Sequence, residues 1–464
     1  MSATAKSDTR KLFGTDGIRG VAGEYPLDRK TVLAIGRALG ARLKRRVASP
    51  KVVIGQDTRE SSVWIAEALA EGLIASGAAF ASAGVITTPG VAYLTRTHGF
   101  QAGIVISASH NPWQDNGIKL FGSDGMKLAD AIEHDIEQDI FAHIEELANV
   151  HGDAEKLTAE ILPGNASLRD DYVNWLAKSV EASELKGTQI LADCANGAAS
   201  SVALQLFEKL GVKVDLLHIS PNGRNINAGC GALHPEHVAE QIKASDGRYA
   251  MGVTFDGDAD RALFSDANGN VVNGDGVMLL AARAMKQQGK LKGDTVVATT
   301  MSNMGLEKAL RDSGVKMIRA NVGDKYVLEE MLKINATLGG EQSGHILFMD
   351  GDATTGDGLL TALRVMEAVA RAGKTLHELV ADLKVFPQKI RNVHVREKVP
   401  FVEIPAVTSA IKQAEAELDG NGRVVVRYSG TEKLARVMIE AESEALMQKH
   451  VAAIADALQT AIGV

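Results

Sequence analysis

Three aspartates at alternating positions form the most distinctive chemical cluster in the sequence. The segment VTFDGDADRALF places Asp256, Asp258 and Asp260 in a loop directly after a strand-like apolar run. Carboxylate oxygens are the ligands that hard divalent cations such as Mg²⁺ prefer, whereas without a cation the clustered charges would repel one another and raise their pKa values. Because apolar residues flank the cluster on both sides, a solvated surface turn explains it poorly. The spacing therefore predicts a metal site.

Two other interpretations of this aspartate loop make different demands on its residues. A calcium-binding EF-hand would require Gly at the sixth position and Glu at the twelfth, where the sequence has Arg261 and Ala267. An aspartyl-phosphate phosphatase would use Asp256 as its nucleophile, and this interpretation stays open. Arg261 also places a cation beside the carboxylates, which suits a phosphate whose charge a metal neutralises only in part.

A serine loop is the second candidate for chemistry. In AGIVISASHNPWQDNGIKL an apolar strand is followed by Ser107, Ser109 and His110, so that hydroxyl groups are presented at the end of a supported strand. Local chemistry does not decide between Ser109 and Ser107 as the reactive group, and either serine could be a backbone-bonding turn residue. Lys119, ten residues after Ser109, can act as a general acid or base or as a phosphate counterion.

A serine-hydrolase triad is a competing interpretation of the serine loop. No GxSxG nucleophile elbow surrounds Ser109. His110 is its immediate neighbour, and adjacent side chains in an extended segment point to opposite faces, which does not suit a nucleophile and its base. The sequence therefore disfavours a hydrolase.

Two further loops contain groups that can bind a sugar or a phosphate. GGEQSGH supplies Glu341, Ser343 and His345, whose polar groups can satisfy several sugar hydroxyls. His345 can also serve in acid/base chemistry, although such a residue more often only hydrogen-bonds. GTDGIRG places Arg19 in a glycine-flanked loop that can reach a phosphate or can simply be a flexible turn.

The segment RYSGTEKLAR has the composition of an anion-binding nest. Its glycine permits close approach of a ligand, its hydroxyl and backbone N–H groups are donors, and its arginines can form charge-assisted hydrogen bonds with phosphate oxygens. The residues concerned are Arg427, Ser429, Gly430, Thr431 and Arg436. A β-hairpin with exposed arginines explains this segment, taken alone, about equally well.

The elements that must position these loops follow a repeated pattern of an apolar run, a small polar loop and an amphipathic helix. KVVIGQDTRESS, QILADCANGAAS and TVVATTMSNMGL all show it, which predicts three α/β units that are alike in pattern rather than in residue identity. The C-terminal segment contains IRNVHV, VVVRYSG and ARVMIEAE together with helical stretches, which is typical of a small α+β domain. We expect four domains, over residues 1–155, 156–265, 266–385 and 386–464.

The composition is that of a globular protein without a large basic surface. The 464 residues are 45% hydrophobic and carry a net charge of −8, so an anionic substrate would have to meet local clusters of Arg and Lys. Cys194 and Cys230 are too few for a disulfide framework. We find no signal peptide and no apolar stretch approaching the roughly 18 residues of a membrane span. We therefore expect a cytoplasmic protein that binds neither nucleic acid nor a membrane.

Five motifs occur in a fixed order along nearly the whole chain, namely GTDGIRG, SASHNP, DGDADR, GEQSGH and RYSGTE. Together they resemble the motifs of the α-D-phosphohexomutase family. The resemblance implies an α/β fold in which three similar α/β domains with mixed sheets lie around a central cleft, with a smaller C-terminal α+β domain. The chain departs from the family's pattern at Tyr428 and Lys433, which stand where prolines are common.

The resemblance also implies a role for each motif. It selects Ser109 over Ser107 as the serine that carries a phosphoryl group, and it implies one Mg²⁺ per chain, bound by the three aspartates and a phosphate oxygen on Ser109. The groups around the transferring phosphate would be Arg19, His110 and Lys119. The sugar hydroxyls would be bound in the loop that contains Glu341, Ser343 and His345. The phosphate that is not reacting would be held by Arg427, Ser429, Gly430, Thr431 and Arg436.

The expected activity is the reversible conversion of glucosamine 6-phosphate to glucosamine 1-phosphate, which feeds UDP-N-acetylglucosamine synthesis. A hexosamine 1,6-bisphosphate would serve as intermediate and activator. Gln342 favours an amino sugar, because the GEQSGH form looks like that of family members acting on glucosamine phosphates. The alternatives are a mannose or glucose phosphate mutase, an aspartyl-phosphate sugar phosphatase and a non-catalytic sugar-phosphate binding protein. The expected partner is the small phosphosugar, and the chain is expected to be a monomer or a homodimer.

Overall fold

The first α/β domain is organised around the strand that leads into the serine loop. The computed structural model describes residues 11–14, 16–149, 164–429 and 433–464. The elements of this domain are β1 (Phe13–Gly14), β2 (Gly17–Val21), α1 (Arg29–Lys44), β3 (Lys51–Gln56), α2 (Ser61–Ala75), β4 (Ala79–Val85), α3 (Thr88–Thr97), β5 (Ala102–Ile106), β6 (Asp115–Gly122) and α4 (Asp130–Asn149). The strand order is β1-β2-β6-β5-β3-β4, with β3 parallel to β4 and β5 and the other pairs antiparallel. Every residue of β5 is buried, as its continuous apolar sequence predicts.

The second α/β domain contains the aspartate loop. Its elements are α5 (Ala166–Lys178), α6 (Ala182–Leu185), β7 (Gln189–Asp193), α7 (Ala203–Lys209), β8 (Lys213–Leu217), α8 (Pro235–Ala244), β9 (Met251–Phe255), β10 (Ala262–Asp266) and β11 (Val271–Val272). The strand order is β11-β10-β9-β7-β8, in which β7 is parallel to β8 and β9, and β10 is antiparallel to β9 and β11.

The third α/β domain contains the GGEQSGH loop. Its elements are α9 (Gly274–Gln287), β12 (Thr295–Thr299), α10 (Met304–Asp312), β13 (Lys316–Ala320), α11 (Asp324–Ile334), β14 (Leu338–Gly340), β15 (Ile346–Phe348), α12 (Gly358–Ala372) and α13 (Leu376–Val380). The strand order is β13-β12-β14-β15, with β12 parallel to β14 and β14 antiparallel to β15.

The three sheets share one arrangement of four strands. The orders β4-β3-β5-β6, β8-β7-β9-β10 and β13-β12-β14-β15 are equivalent, and in each the last strand is antiparallel to the one before it. The connections that join these last two strands are residues 107–114, 256–261 and 341–345. The serine loop, the aspartate loop and the GGEQSGH loop therefore lie at topologically equivalent positions in the three domains. This repeat supports the pattern of three related units seen in the sequence.

The C-terminal domain is a small α+β unit, as the sequence predicts. Its elements are β16 (Gln388–His394), α14 (Pro405–Leu418), β17 (Gly422–Tyr428), β18 (Leu434–Ala441) and α15 (Glu444–Ile462). The antiparallel strands follow the order β16-β18-β17, and the apolar faces of α14 and α15 contribute Val407, Leu418 and Ile454 to its core. The chain forms two compact units, one of Met1–Met301 with Met317–Val380 and one of Ser302–Lys316 with Ala381–Val464.

The expected domain boundaries fall in different structural settings. The boundary at residue 155 lies outside the described residues. Residue 265 lies within β10, and the second sheet continues through β11 to Val272. Residue 385 falls in the connection between α13 and β16. Within the described ranges, no helix has both the length and the apolar character needed to cross a membrane.

A buried carboxyl group joins the second and third α/β domains. Asp357 is the N-cap of α12, where its side chain accepts a hydrogen bond from the Leu360 N–H at 3.0 Å, and it also accepts one from the Tyr172 hydroxyl of α5 at 2.8 Å. Burial outweighs these hydrogen bonds and raises the pKa of Asp357 to about 6. The folded protein therefore favours the protonated form of this group more than the unfolded chain does.

We expect the Asp357→Asn variant to differ from the wild type in how stability depends on pH. Because the pKa of Asp357 is raised on folding, its stabilising contribution is complete below its unfolded pKa and is lost as the pH rises through its folded pKa. Relative to the variant, the wild type should lose about 2 kcal/mol between roughly pH 4 and pH 7. Calorimetric unfolding of both proteins across this range measures the difference. A constant difference would show that Asp357 does not titrate in this window.

Candidate active site

Ser109 is held at the start of the connection between β5 and β6, facing the aspartate loop. It is buried, and its backbone adopts the left-handed conformation with φ of 52°, which is uncommon for a residue with a side chain. The Ser109 hydroxyl donates a 2.6 Å hydrogen bond to Asp256 Oδ2. Its oxygen also lies 3.2 Å from His110 Nδ1. The expectation that these adjacent side chains point to opposite faces is therefore wrong, because the left-handed backbone of Ser109 is not extended. The structure thus joins the serine and aspartate loops, which the sequence could only place separately.

Ser107 occupies a different environment from Ser109. Its hydroxyl donates a 2.6 Å hydrogen bond to Asp57 Oδ2 and accepts one of 2.9 Å from the Ser109 N–H. It is fully buried. Ser107 therefore supports the backbone of the loop, while Ser109 presents its hydroxyl to the aspartates.

The three aspartates form a buried cluster of oxygen atoms. One carboxylate oxygen from each of Asp256, Asp258 and Asp260 lies within 4.8 Å of the others. Asp258 Oδ1 and Asp260 Oδ1 are buried and accept no hydrogen bond from the described part of the chain. Burial, together with the charges of Asp260 and Asp258, raises the pKa of Asp256 well above its usual range. An oxygen-rich, anionic cluster with unsatisfied buried acceptors fits a divalent cation.

A second cluster of potential ligands has a different explanation. Asp193, His218 and Cys230 also bring one possible ligand atom each within 4.8 Å of the others. The Asp193 carboxylate, however, accepts backbone hydrogen bonds from Ala195 at 2.8 Å and Gly231 at 3.0 Å. Burial raises the pKa of the Cys230 thiol to about 12, so the thiolate that binds metals is disfavoured. This cluster ties two loops of the second domain together.

Lys119 is a buried cation surrounded by carboxylates. Its Nζ lies 2.8 Å from Asp258 Oδ2, 3.0 Å from Asp16 Oδ2 and 3.4 Å from Asp260 Oδ2. Burial by itself lowers the pKa of Lys119, but these carboxylates outweigh burial and hold it well above its usual range. In this arrangement the side chain is an ammonium ion, which suits a counterion or a proton donor better than a base.

A cleft of about 400 Å³ opens beside these groups. It is lined by residues that include Arg19, His110, Asp260, Arg261, Glu341 and His345. Burial and the charges of Arg261 and Arg19 lower the pKa of His110 to about 4, so its imidazole is neutral at physiological pH. The cleft therefore combines two arginines and a neutral imidazole with the edge of the aspartate cluster.

The GGEQSGH loop contributes only part of its polar residues to this cleft. Glu341 Oε1 accepts a 3.1 Å hydrogen bond from the Gly323 N–H, and His345 Nδ1 lies 3.6 Å from Asp260 Oδ1. Ser343 is half-buried and is not among the residues that line the cleft. The Gln342 side chain donates to Asp275 Oδ2 at 3.2 Å, so it anchors the loop to the start of α9.

A series of ion pairs along the wall of the cleft is not predicted from the sequence. Asp16 forms ion pairs with Arg19, Lys119 and Lys127, and Lys127 also pairs with Asp324. Asp16 belongs to the GTDGIRG motif, so that motif could have indicated it. Lys127 stands in an ordinary polar turn and has no local signal. These pairs connect the first and third domains beside the cleft.

The predicted phosphate loop lies in the second compact unit. Gly430 and Thr431 are outside the described residues. Arg427 of β17 is directly opposite Arg436 of β18, and the Ser429 carbonyl accepts a 2.7 Å hydrogen bond from Lys398 Nζ. Like charges opposite each other on paired strands are unfavourable.

The sequence matches models of all four domains of one enzyme family. These are the phosphoglucomutase/phosphomannomutase α/β/α domains I, II and III, over residues 10–147, 170–269 and 273–386, and the C-terminal domain of the same family, over residues 391–457. The chain belongs to the phosphoglucomutase/phosphomannomutase family. The resemblance to phosphohexomutases and the predicted fold class are thereby confirmed.

Several individual family members are similar to the chain over nearly its whole length. The chain is 66% identical to the phosphoglucosamine mutase of Koribacter versatilis, with 99% of both chains covered, and 52% identical to that of Solibacter usitatus, covering 98% of this chain and 99% of the relative. Among solved structures, it resembles a family member from Burkholderia thailandensis with a TM-score of 0.77 at 24% identity, covering 98% and 99% of the two chains. It also resembles Aspergillus fumigatus N-acetylphosphoglucosamine mutase in complex with GlcNAc-6P and magnesium, with a TM-score of 0.63 at 18% identity over 98% and 97% of the chains. These structures show the shared fold.

Proposed function

We propose that the protein is a phosphoglucosamine mutase, an isomerase that reversibly converts glucosamine 6-phosphate to glucosamine 1-phosphate in the cytoplasm. The observation that carries the proposal is the 2.6 Å hydrogen bond from the Ser109 hydroxyl to Asp256 in the buried aspartate cluster. This contact brings a serine hydroxyl next to carboxylates that fit a divalent cation, and phosphoryl transfer needs a nucleophile beside such a cation. The full-length similarity to phosphoglucosamine mutases supports the choice of substrate.

Asp256, Asp258 and Asp260 would hold one Mg²⁺ per chain, together with a phosphate oxygen on Ser109. The buried acceptors Asp258 Oδ1 and Asp260 Oδ1 support this assignment. When bound, the cation neutralises phosphoryl oxygens and stabilises the charge that develops during transfer. The carboxylates must be ionised to bind it, and its charge would offset their mutual repulsion.

The reaction begins with a phosphoryl group on Ser109. The bond between phosphorus and Ser109 Oγ breaks as a bond forms to the free hydroxyl oxygen of the sugar, and the proton of that hydroxyl ends on Ser109 Oγ. The product is a 1,6-bisphosphate, which reorients so that the other phosphate returns to Ser109. One phosphoryl group enters and one leaves in each cycle, so the serine ends in its starting state.

The residues around the cleft would act mainly through charge and position. Lys119, Arg19 and Arg261 would neutralise the transferring phosphate, which demands little covalent chemistry from the protein. The raised pKa of Lys119 favours a role as counterion or proton donor. His110 would hydrogen-bond at Ser109 Oγ through Nδ1, from which it is separated by 3.2 Å.

Sugar and phosphate recognition would be divided between two loops. Glu341 and His345 face the cleft and would bind sugar hydroxyls, with Ser343 on the same loop as a further donor. The phosphate that is not reacting would be held by Arg427, Ser429, Gly430, Thr431 and Arg436. The opposed arginines of β17 and β18 support an anion site in that unit.

We expect glucosamine phosphate to be the preferred substrate by at least about tenfold in kcat/KM over glucose and mannose phosphates, because a site that hydrogen-bonds an amino group discriminates against analogues that lack it. Phosphorus NMR can follow all three isomerisations with the same enzyme sample. A higher kcat/KM for glucose or mannose phosphate would favour a phosphoglucomutase or phosphomannomutase. Release of inorganic phosphate without isomerisation would favour a phosphatase, and binding without either reaction a non-catalytic protein.

A further inference from the structure

Two side chains from different domains bind the same pair of carbonyl oxygens in the serine loop. Arg59, which follows β3, donates through its Nη2 to the carbonyl oxygens of Ser109 at 3.2 Å and Asn111 at 2.6 Å. Asn227, which lies between β8 and α8 in the second domain, donates through Nδ2 to the same two oxygens at 2.9 and 3.2 Å. The backbone on both sides of His110 is thus fixed by paired donors.

The remaining polar backbone group of Ser109 is also satisfied. Its N–H donates to the Ser107 hydroxyl, which in turn donates to Asp57 Oδ2, and the Asp57 carboxylate forms an ion pair with Arg59. Both side chains of this ion pair are fully buried. Removing two charges from water is costly, and well-packed apolar residues often stabilise a fold as well or better. A buried pair whose hydrogen bonds end on the serine loop therefore points to a role in the conformation of that loop.

The serine loop needs such restraint because its backbone is strained. Left-handed backbone conformations are unfavourable for residues with a Cβ atom and persist only where the surroundings hold them. Ser109 has φ of 52°. The loop also approaches Gly257 so closely that a Cβ atom there would lie 2.5 Å from the Ser109 carbonyl oxygen. Small changes in this backbone would move the hydroxyl relative to Asp256.

We propose that Asn227 and Arg59 are positioning residues for Ser109, a proposal that rests on the mutase function proposed above. Neither side chain lines the cleft among the described residues. Both act through the Ser109 and Asn111 carbonyl groups, so that the second domain contributes to the alignment of the nucleophile as well as to the metal site. Their effect is on the phosphoryl-transfer step and not on sugar-phosphate binding.

The Asn227→Asp variant tests this proposal, since it replaces a donor with an acceptor of almost the same shape. Asp tolerates the left-handed backbone of Asn227, whose φ is 56°. We expect kcat to fall by roughly tenfold to a hundredfold, because small misplacements of a reacting group cost this much. KM for glucosamine 6-phosphate should change by less than about twofold, since the contacts that bind the substrate in the ground state are not affected.

Asn196→Asp provides a matched control. Asn196 has φ of 48° and is 7% exposed, compared with 56° and 8% for Asn227. Its side chain donates to the Asn225 carbonyl oxygen at 3.3 Å and accepts from the Ser220 N–H, so it makes the same type of contact away from the serine loop. This control should keep kcat close to that of the wild type per folded molecule.

Three measurements distinguish an effect on the position of Ser109 from an effect on the stability of the fold. Thermal unfolding gives the folded fraction, intact mass gives the rate at which glucosamine 1,6-bisphosphate phosphorylates Ser109, and phosphorus NMR gives the resonance of the phosphoserine. We expect Asn227→Asp to slow phosphorylation and shift that resonance, with no change in Asn196→Asp. Equal kcat values for the two variants, corrected for folded fraction, would overturn the proposal.

Asn227→Gly covers the case in which the new carboxylate prevents folding. Glycine accepts the left-handed backbone and removes the amide without adding charge, so a kcat near that of the wild type would also refute the positioning role. Failure of the proposed function would look different. In that case the wild type itself would neither carry phosphate on Ser109 nor interconvert the two glucosamine phosphates.

Discussion

Replacing Ser109 by alanine is expected to lower the interconversion of glucosamine phosphates by on the order of a thousandfold or more, because loss of the nucleophile removes the covalent route. The hydroxyl lies 2.6 Å from Asp256 Oδ2, whereas the proposed sugar-binding residues Glu341 and His345 contact Gly323 and Asp260. Affinity for glucosamine 6-phosphate, measured by calorimetry, should therefore stay within about threefold of the wild-type value. The Ser109 hydroxyl acts mainly in the transition state, so its loss has little effect on the binding of the substrate.

Ser107→Ala is the control for this experiment. Because Ser107 bonds to Asp57 and to the Ser109 N–H, its loss should disturb the loop but leave a phosphorylated Ser109 detectable by peptide mass spectrometry. Phosphate on Ser107 instead would reverse the assignment of the two serines. If Ser109→Ala keeps near-normal activity while Asp256→Asn destroys it, the aspartyl-phosphate interpretation is favoured.

Much of the fold can be predicted because the buried strands have simple sequence patterns. Runs that are apolar throughout, as in β5, or interrupted only by Thr254, as in β9, are typical of strands covered on both faces. Turn signals are less informative. The polar residues after β10 predict a domain boundary at residue 265. In the structure they form a turn in which the Asp266 N–H donates to the Asn270 carbonyl, and β11 then pairs with β10. A turn within one sheet has the same local composition as a linker between domains.

The candidate residues of the site can be named from the sequence. Their assembly into one site cannot, because it depends on contacts between residues that are distant in the chain. Ser109 and Asp256 are 147 positions apart, and their contact favours Ser109 over Ser107, which local chemistry could not do. The environment of Lys119 is likewise set by Asp258 and Asp16, from two other segments. Neither Arg59 nor Asn227 carries a sequence signal that distinguishes it from an ordinary loop residue.

Removal of one carboxylate from the aspartate cluster should lower activity without lowering the stability of the metal-free protein. We expect Asp256→Asn to lower kcat on the order of a hundredfold or more, because a weakly bound cation stabilises the transferring phosphoryl group poorly. The binding of Mn²⁺, used as a paramagnetic probe and expected at one ion per chain in the wild type, should weaken in parallel.

The stability of Asp256→Asn distinguishes a metal site from an ordinary structural carboxylate. Burial and the charges of Asp260 and Asp258 raise the pKa of Asp256, so the metal-free fold gains nothing from ionising this group. An asparagine, which still accepts hydrogen bonds, should leave the thermal unfolding temperature of the metal-free protein unchanged or raise it.

Asp266→Asn is the control, since Asp266 is equally buried but accepts hydrogen bonds from Asn270 and lies 2.9 Å from His377. It should retain Mn²⁺ binding and lose stability. Unchanged Mn²⁺ affinity in Asp256→Asn would place the cation elsewhere, because a cluster that binds through three carboxylates cannot lose one without weakening.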